Sequence, residues 1–321
     1  MTNATGAASL RRVFEAPWIW SFLGAAAVWA AAIAVASGQG AQGMLTAALA
    51  FGVFTVIVGI GQMFVITLGP GNIDLSLPST IGLASAIAMK VMDGSDTRIA
   101  LGLAAAIGAG LVIGVANYLL IRLLRIPPII ATLSMSFILR SVGISYGRGL
   151  QIKPPPAFAD FTLARIGGIP VLAIAAIVFS ILVGVILHRT VYGRSVLAIG
   201  QNIRAAKLAG VAVEWTSLAT YALCAALAGL CGALLAGFTG GSSLDVGAEY
   251  LLSSIAIVVI GGTSVAGGMA NVPGLWGAAL FLFMVATLLN TSGFGVGVRN
   301  ILTGVIIIAV IAIAGGRRQS R

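Results

Sequence analysis

Apolar residues fill this chain in long, nearly unbroken stretches, and polar residues gather in the short segments between them. Runs of about 18 or more apolar residues are long enough to cross a bilayer as helices, and about ten can be marked. They lie near 18–37, 44–68, 75–92, 99–121, 127–147, 169–187, 216–238, 250–268, 272–290 and 299–315. No Asp, Glu, Lys or Arg occurs from Ala16 to Ile73, so the first two runs carry no charge. The pattern predicts an all-α polytopic transmembrane bundle, with a leading segment 1–15, a membrane domain over 16–316 and a tail 317–321.

The interruptions carry the information. Residues 188–215 form the longest polar break on one membrane side, with Arg189, Arg194, Arg204 and Lys207 in it. Asn202 to Leu208 reads as a short helix stopped at Gly210. Such a break is either a solvated connector or a helix that docks on a partner. Residues 69–79, GPGNIDLSLPS, pack two glycines, two prolines, Asn72, Asp74 and Ser76 between two spans. Backbone freed from helix at membrane depth must be buried in protein or line a watered path. Asp74 is accordingly either a helix-start carboxylate favoured by the macrodipole or a group that shapes a path or gate. Residues 261–271, GGTSVAGGMAN, form a second break containing Thr263 and Ser264. Val272-Pro273 followed by Gly277 parallels Leu77-Pro78 followed by Gly82, and paired Gly/Pro-interrupted segments in two halves point to a transporter's path.

Arg140 falls within the 127–147 run, where an isolated charge costs about 2.5–3.5 kcal/mol, so it requires a partner or water. Ser134, Ser141 and Ser145 recur along the same run, as interhelical packing groups or as the lining of a path. The loop 148–168, stiffened by Pro154, Pro155 and Pro156, suits either docking of an outside partner or a spacer. Asp245 and Glu249 read as solvated charges at a helix start.

Composition sharpens the class. The chain is 59% hydrophobic and 8% charged with a mean hydropathy of +1.10, far from a soluble domain, and its 43 glycines suit close helix packing. The net charge of +10 is spread singly over span ends, with no aromatic-interleaved basic patch for nucleic acid. With the N-terminus inside, 11 basic residues fall on the cytoplasmic side and 6 outside, which places both termini in the cytoplasm. Arg11 and Arg12 precede the first run, which is read as a retained span rather than a cleaved signal. Cys224 and Cys231 stand seven apart on one helix, about 10 Å between Cα atoms, too far for a mutual disulfide. No P-loop lysine follows a glycine, His188 is the one histidine, and no His/Cys cluster exists, so neither an enzyme, a metal site nor a cofactor is predicted.

Several motifs resemble those of permease subunits of ribose/xylose-type ABC sugar importers. Tyr192-Gly193-Arg194, Ala198-Ile199-Gly200 with Asn202, and Ala205-Ala206 with Gly210 are similar to the cytoplasmic loop of that family, with Arg204 where the family commonly has Glu. Gly71 and Ile73-Asp74-Leu75-Ser76 resemble its Gly-Gly-Ile-Asp-Leu-Ser, with Asn72 in place of the second glycine. Asn117 to Arg140, with Ile126-Pro127-Pro128 and Ala131-Thr132-Leu133, and Gly261 to Gly268 resemble two further family segments. The resemblance implies a subunit of the bacterial inner membrane that works with an ABC ATPase, an extracytoplasmic sugar-binding protein and a second permease copy. It implies that the ATPase docks on Tyr192, Gly193, Arg194, Gly200, Asn202, Arg204, Ala205, Ala206, Lys207 and Gly210. The path or gate is expected at Asn72, Asp74, Ser76, Asn117, Thr132, Ser134, Arg140, Ser141, Thr263 and Ser264. Branched-chain amino-acid or nucleoside permeases and a stand-alone carrier are the rival readings.

Overall fold

The computed structural model describes residues 17–35, 41–147 and 152–291, together with 295, 297–298, 301–302, 304–306 and 308–309. The segment 1–15, the tail 317–321 and most of the run 299–315 lie outside the described residues. In chain order the helices are α1 Pro17–Val35, α2 Ala41–Thr67, α3 Leu77–Met92, α4 Ile99–Leu123, α5 Pro128–Gly147 and α6 Pro156–Leu163. The two-residue strands β1 Arg165–Ile166 and β2 Ile169–Pro170 then pair antiparallel. α7 Val171–Arg189, α8 Val191–Gln201, α9 Ile203–Leu208, α10 Val213–Thr239, α11 Tyr250–Ile260 and α12 Val272–Thr291 complete the order. Helices α2, α4, α5, α7, α10 and α12 are long and apolar enough to cross a membrane, and α1, α3 and α11 are shorter apolar helices.

Two helices form the centre. The apolar windows of α2 and α10 are 83% and 78% buried, against 22–33% for α4, α5 and α7, which present their outer faces to lipid or to partners. α10 packs along α4, α3 and α2, while α12 packs along α1, α2 and α11. The close approach of α4 to α10 follows from small residues: a Cβ on Gly110 would lie 2.2 Å from Ala225 O, and one on Gly114 2.3 Å from Tyr221 O. In hydrocarbon, where apolar burial does not drive association, such backbone proximity supplies the packing.

One expectation is corrected. The run 250–268 is helical only to Ile260, because four glycines and two hydroxyl residues follow within eight positions and the backbone leaves the helix there. In the described part of the loop 148–168, Pro156 opens α6, and the Ala157 N–H donates to Asp96 Oδ1 at 3.0 Å, tying the loop to the turn before α4.

Candidate functional site

The first break leaves α2 at Thr67 and re-enters helix at Leu77, and side chains from four helices hold it. Asp74 is buried, at 1% exposure. Its Oδ1 accepts from the Ser76 N–H at 2.8 Å and the Ser76 hydroxyl at 2.6 Å, which fixes the turn into α3. From α4, Asn117 Nδ2 donates to Ser76 Oγ at 2.8 Å and lies 3.4 Å from Asp74 Oδ2. From α2, Gln62 Oε1 accepts from the Asp74 N–H at 3.4 Å. From α5, Thr132 Oγ1 accepts from the Leu75 N–H at 3.0 Å, and its own hydroxyl reaches Pro128 O at 2.9 Å. From α10, the Tyr221 hydroxyl donates to Asn72 Oδ1 at 3.0 Å. Thus Asp74, Ser76, Asn117 and Thr132, scattered over the sequence, meet in one buried clamp, and the half-buried Asn72 is held beside it by Tyr221. Gln62 Nε2 and Asn117 Oδ1 are buried there without a hydrogen bond among the described residues.

The polar loop folds into α8 and α9, and each helix is capped from the sequence itself. The Gly193 N–H donates to Thr190 Oγ1, and the Arg204 and Ala205 N–H groups donate to Asn202 Oδ1. Tyr192 lies in from the surface, its hydroxyl 3.0 Å from Thr220 Oγ1 and its ring against Phe64, and burial pushes its phenol up to about 12, so it stays neutral. Gly193 packs on the last turn of α7, where a Cβ would lie 2.3 Å from Ile186 O. Arg194, Arg204, Ala205, Lys207 and Gly210 are exposed, and Leu208 is 90% exposed. Ala206 differs from its neighbour: it is 4% exposed and faces its own chain, with its carbonyl accepting from the Val211 N–H at 3.0 Å. The paired alanines therefore do not share a face, and only Ala205 is available to a partner.

The end of α8 touches both breaks at once. A Cβ on Gly200 would lie 1.9 Å from Thr67 O and 2.3 Å from the Gly268 nitrogen, so only glycine fits. The Gly268 N–H donates to Thr67 O at 2.9 Å, and Gln201 Nε2 donates to Gly268 O at 3.3 Å. A Cβ on Gly267 would lie 2.5 Å from Gly69 Cα, and Gly267 and Gly268 have φ of +86° and +73°, which glycine adopts without strain. Within the second break, Thr263 Oγ1 accepts from the Asn271 N–H and Asn271 Nδ2 donates to Gly261 O at 2.8 Å, so Thr263 is a buried brace. Ser264 is half-buried.

At the opposite end of the bundle, Arg140 on α5 pairs with Asp245 at 3.1 Å. The required partner exists, and Asp245 is not merely a solvated charge. Both side chains are more than 60% exposed, so the pair contributes at most about 1 kcal/mol. Ser134 and Ser141 are exposed on the same helix. Sequence reasoning missed Gln62, although a lone glutamine inside the run 44–68 is a signal, and it missed the contact of Glu214 with Tyr118 and Arg122. There the Tyr118 hydroxyl donates to Glu214 Oε2 at 2.6 Å and Arg122 Nε lies 2.5 Å from the same oxygen. Cys224 and Cys231 are free and buried.

Two glycine-broken segments braced against one polar loop are the pattern of a membrane permease, and comparison with known proteins decides the family. Residues 44–311 match the model described as branched-chain amino acid transport system / permease component. The chain belongs to this permease family. Ribose import permease protein RbsC of Escherichia coli (strain K12) is 31% identical over 80% of this chain and 81% of its own length. RbsC of Bacillus subtilis (strain 168) is 33% identical over 82% of this chain and 81% of its own. The autoinducer 2 import system permease protein LsrD of Yersinia enterocolitica is 31% identical, covering 75% of each. No solved structure matches the chain. With six helices long and apolar enough to cross a membrane among the described residues, this permease is a multi-pass protein of the inner membrane.

Proposed function

We propose that the chain is the membrane-spanning subunit of an ATP-driven importer that passes a monosaccharide or related small polyol. The observation that carries this reading is the joint at Gly200: a loop suited to docking lies backbone to backbone on both broken segments. A rigid shift of α8 and α9 therefore has to displace the breaks with it. The sugar class rests on relatives whose names specify ribose and autoinducer 2 import. A separate ABC ATPase docks from the cytoplasm on the exposed face of α9, an extracytoplasmic binding protein delivers the solute, and a second permease copy completes the path. The loop end and both termini are cytoplasmic in this reading, in line with the basic residues at span ends.

The docking face is testable by a pair of variants. Ala205→Trp adds bulk on the exposed side of α9 and is expected to abolish capture of the ATPase while the spans still insert. Ala206→Trp puts the same bulk into the chain's own packing and is expected to destabilise α9 itself by about 1–3 kcal/mol. Normal transport and normal ATPase capture by Ala205→Trp would sink the assignment. The family description keeps a second reading in view, a branched-chain amino-acid permease. A ligand-binding assay on the cognate binding protein separates the two.

A further inference from the structure

Helix α7 measures the bilayer. Every exposed position on it from Ile174 to Ile186 is apolar, a face suited to lipid tails, and His188 and Arg189 end it beside α8. Its 19 residues, at 1.5 Å each, span about 28 Å, close to the roughly 30 Å of a hydrocarbon core. With Arg189 at one boundary of that core, Val171 falls at the other. β2 runs straight into Val171, so the β1–β2 hairpin lies at this second boundary.

The hairpin presents a rigid apolar tip. Arg165 pairs with Pro170 and Ile166 with Ile169, and the turn between them is Gly167-Gly168 at φ of +58° and +82°. Positive φ at both turn residues matches the twist of the flanking strands, and glycine takes it without strain. The Val171 N–H donates to Ala164 O at 2.9 Å and closes the base. Side chains alternate across a strand, so the two faces of the ribbon differ. Pro170 is buried where β2 packs on α2, whereas Ile169 is 44% exposed and Ile166 opposite it 65% exposed. Before β1, α6 is fastened to the core: Phe158 is buried, and a Cβ on Gly237 of α10 would lie 2.6 Å from its ring. No Asp or Glu occurs from Phe161 to Pro170.

We propose that the β1–β2 hairpin is an interfacial membrane anchor, laying Ile166 and Ile169 into the boundary between lipid headgroups and acyl chains at the bilayer surface remote from α8 and α9. Two constraints set this depth. A two-stranded ribbon leaves backbone N–H and C=O groups unpaired along its edges, which excludes it from the hydrocarbon itself. Its exposed isoleucines gain by leaving water, and the exposed Arg165 at the base suits the level of the lipid phosphates. A protein partner fits less well. The tip offers two side chains and two glycines, far short of the roughly 800 Å² that a stable interface takes from each partner, and lipid demands no such area. Through α6, the anchor holds the end of α10 remote from the loop helices at a fixed depth. This inference goes beyond the import reading and does not depend on the solute.

The test is spin labelling of the full chain in nanodiscs of phosphatidylethanolamine and phosphatidylglycerol. Cys224 and Cys231 are free and buried, so the unsubstituted chain supplies the blank. Nitroxides are placed through Ile166→Cys and Ile169→Cys, with Val178→Cys on the apolar face of α7 and Asp160→Cys on α6 as references. Relaxation by oxygen, which concentrates in hydrocarbon, is compared with relaxation by a water-soluble nickel chelate. Oxygen is expected to dominate at 178 and the chelate at 160, which also verifies that the labelled chains have inserted. At 166 and 169 oxygen is expected to exceed the chelate, by less than at 178. Dominance of the chelate at both hairpin positions would place the tip in water and overturn the proposal. Shielding from both reagents, or loss of oxygen access on adding the solute-loaded binding protein, would make the tip a protein contact and overturn it equally.

Discussion

Gly200→Ala is expected to cut solute uptake by about 5- to 150-fold while the protein still reaches the membrane. The added Cβ would lie 1.9 Å from Thr67 O and 2.3 Å from the Gly268 nitrogen, and neither is the free end of a flexible side chain. Something in the backbone must shift, at a cost of about 1–3 kcal/mol for overpacking of this kind. That cost falls on the joint between loop and breaks, so ATP hydrolysis in the assembled complex is expected to continue with little transport. Gln201→Ala adds no atom and removes only the hydrogen bond to Gly268 O, so its loss should be smaller and in the same direction, about 0.5–1.5 kcal/mol. Uptake into vesicles alongside ATP turnover measures both. Wild-type uptake by Gly200→Ala would mean that the loop moves independently of the breaks.

The second large effect is expected at Asp74→Ala. The substitution removes the acceptor of the Ser76 N–H and hydroxyl and a partner of Asn117 Nδ2, all buried. Each buried donor left without an acceptor costs about 1–3 kcal/mol, so the clamp on the first break should open before the rest of the bundle unfolds. Asp74→Asn keeps one acceptor oxygen for Ser76 but turns an NH2 toward the Asn117 amide, and should lie between alanine and wild type. Thermal unfolding of the purified chain gives the order. If Asp74→Ala melts with wild type, the clamp contributes nothing to the break.

The spans were legible in the sequence because the bilayer imposes a length and a composition that few other contexts demand. The breaks were legible for a related reason, since glycine and proline at membrane depth require a special placement. What holds the breaks was only half legible. Asn72, Asp74, Ser76, Asn117 and Thr132 could be picked out as polar residues at or near span interiors, yet nothing in their spacing says that they converge. Gln62 stood alone in an apolar run and was passed over, although a buried amide needs partners as much as a carboxylate does. Thr263, chosen as a path residue, braces its own loop through Asn271.

Helical phase, not composition, decided the paired alanines. Neighbouring positions on a helix point about 100° apart, so one alanine can face a partner while the next faces the core, and six residues of α9 are too few to show a period. The joint at Gly200 was invisible for another reason. Thr67, Gly200 and Gly268 lie far apart in the chain, and a backbone contact leaves no mark except three unremarkable small residues. The same holds for Glu214, which reads as a loop acid until the fold brings Tyr118 and Arg122 to it.

The central claim is that energy reaches this path from a separate ATPase through the loop at α8 and α9. Its most direct test is to purify the chain gently from its native membrane, reconstitute all that comes with it into vesicles, and add the cognate binding protein loaded with its solute. Uptake is then measured with and without enclosed ATP. The account predicts that an ATP-hydrolysing subunit co-purifies and that uptake occurs only with ATP. Uptake by the chain alone, without ATP, would contradict it and make the protein a self-sufficient carrier with the Asp74 clamp at its centre.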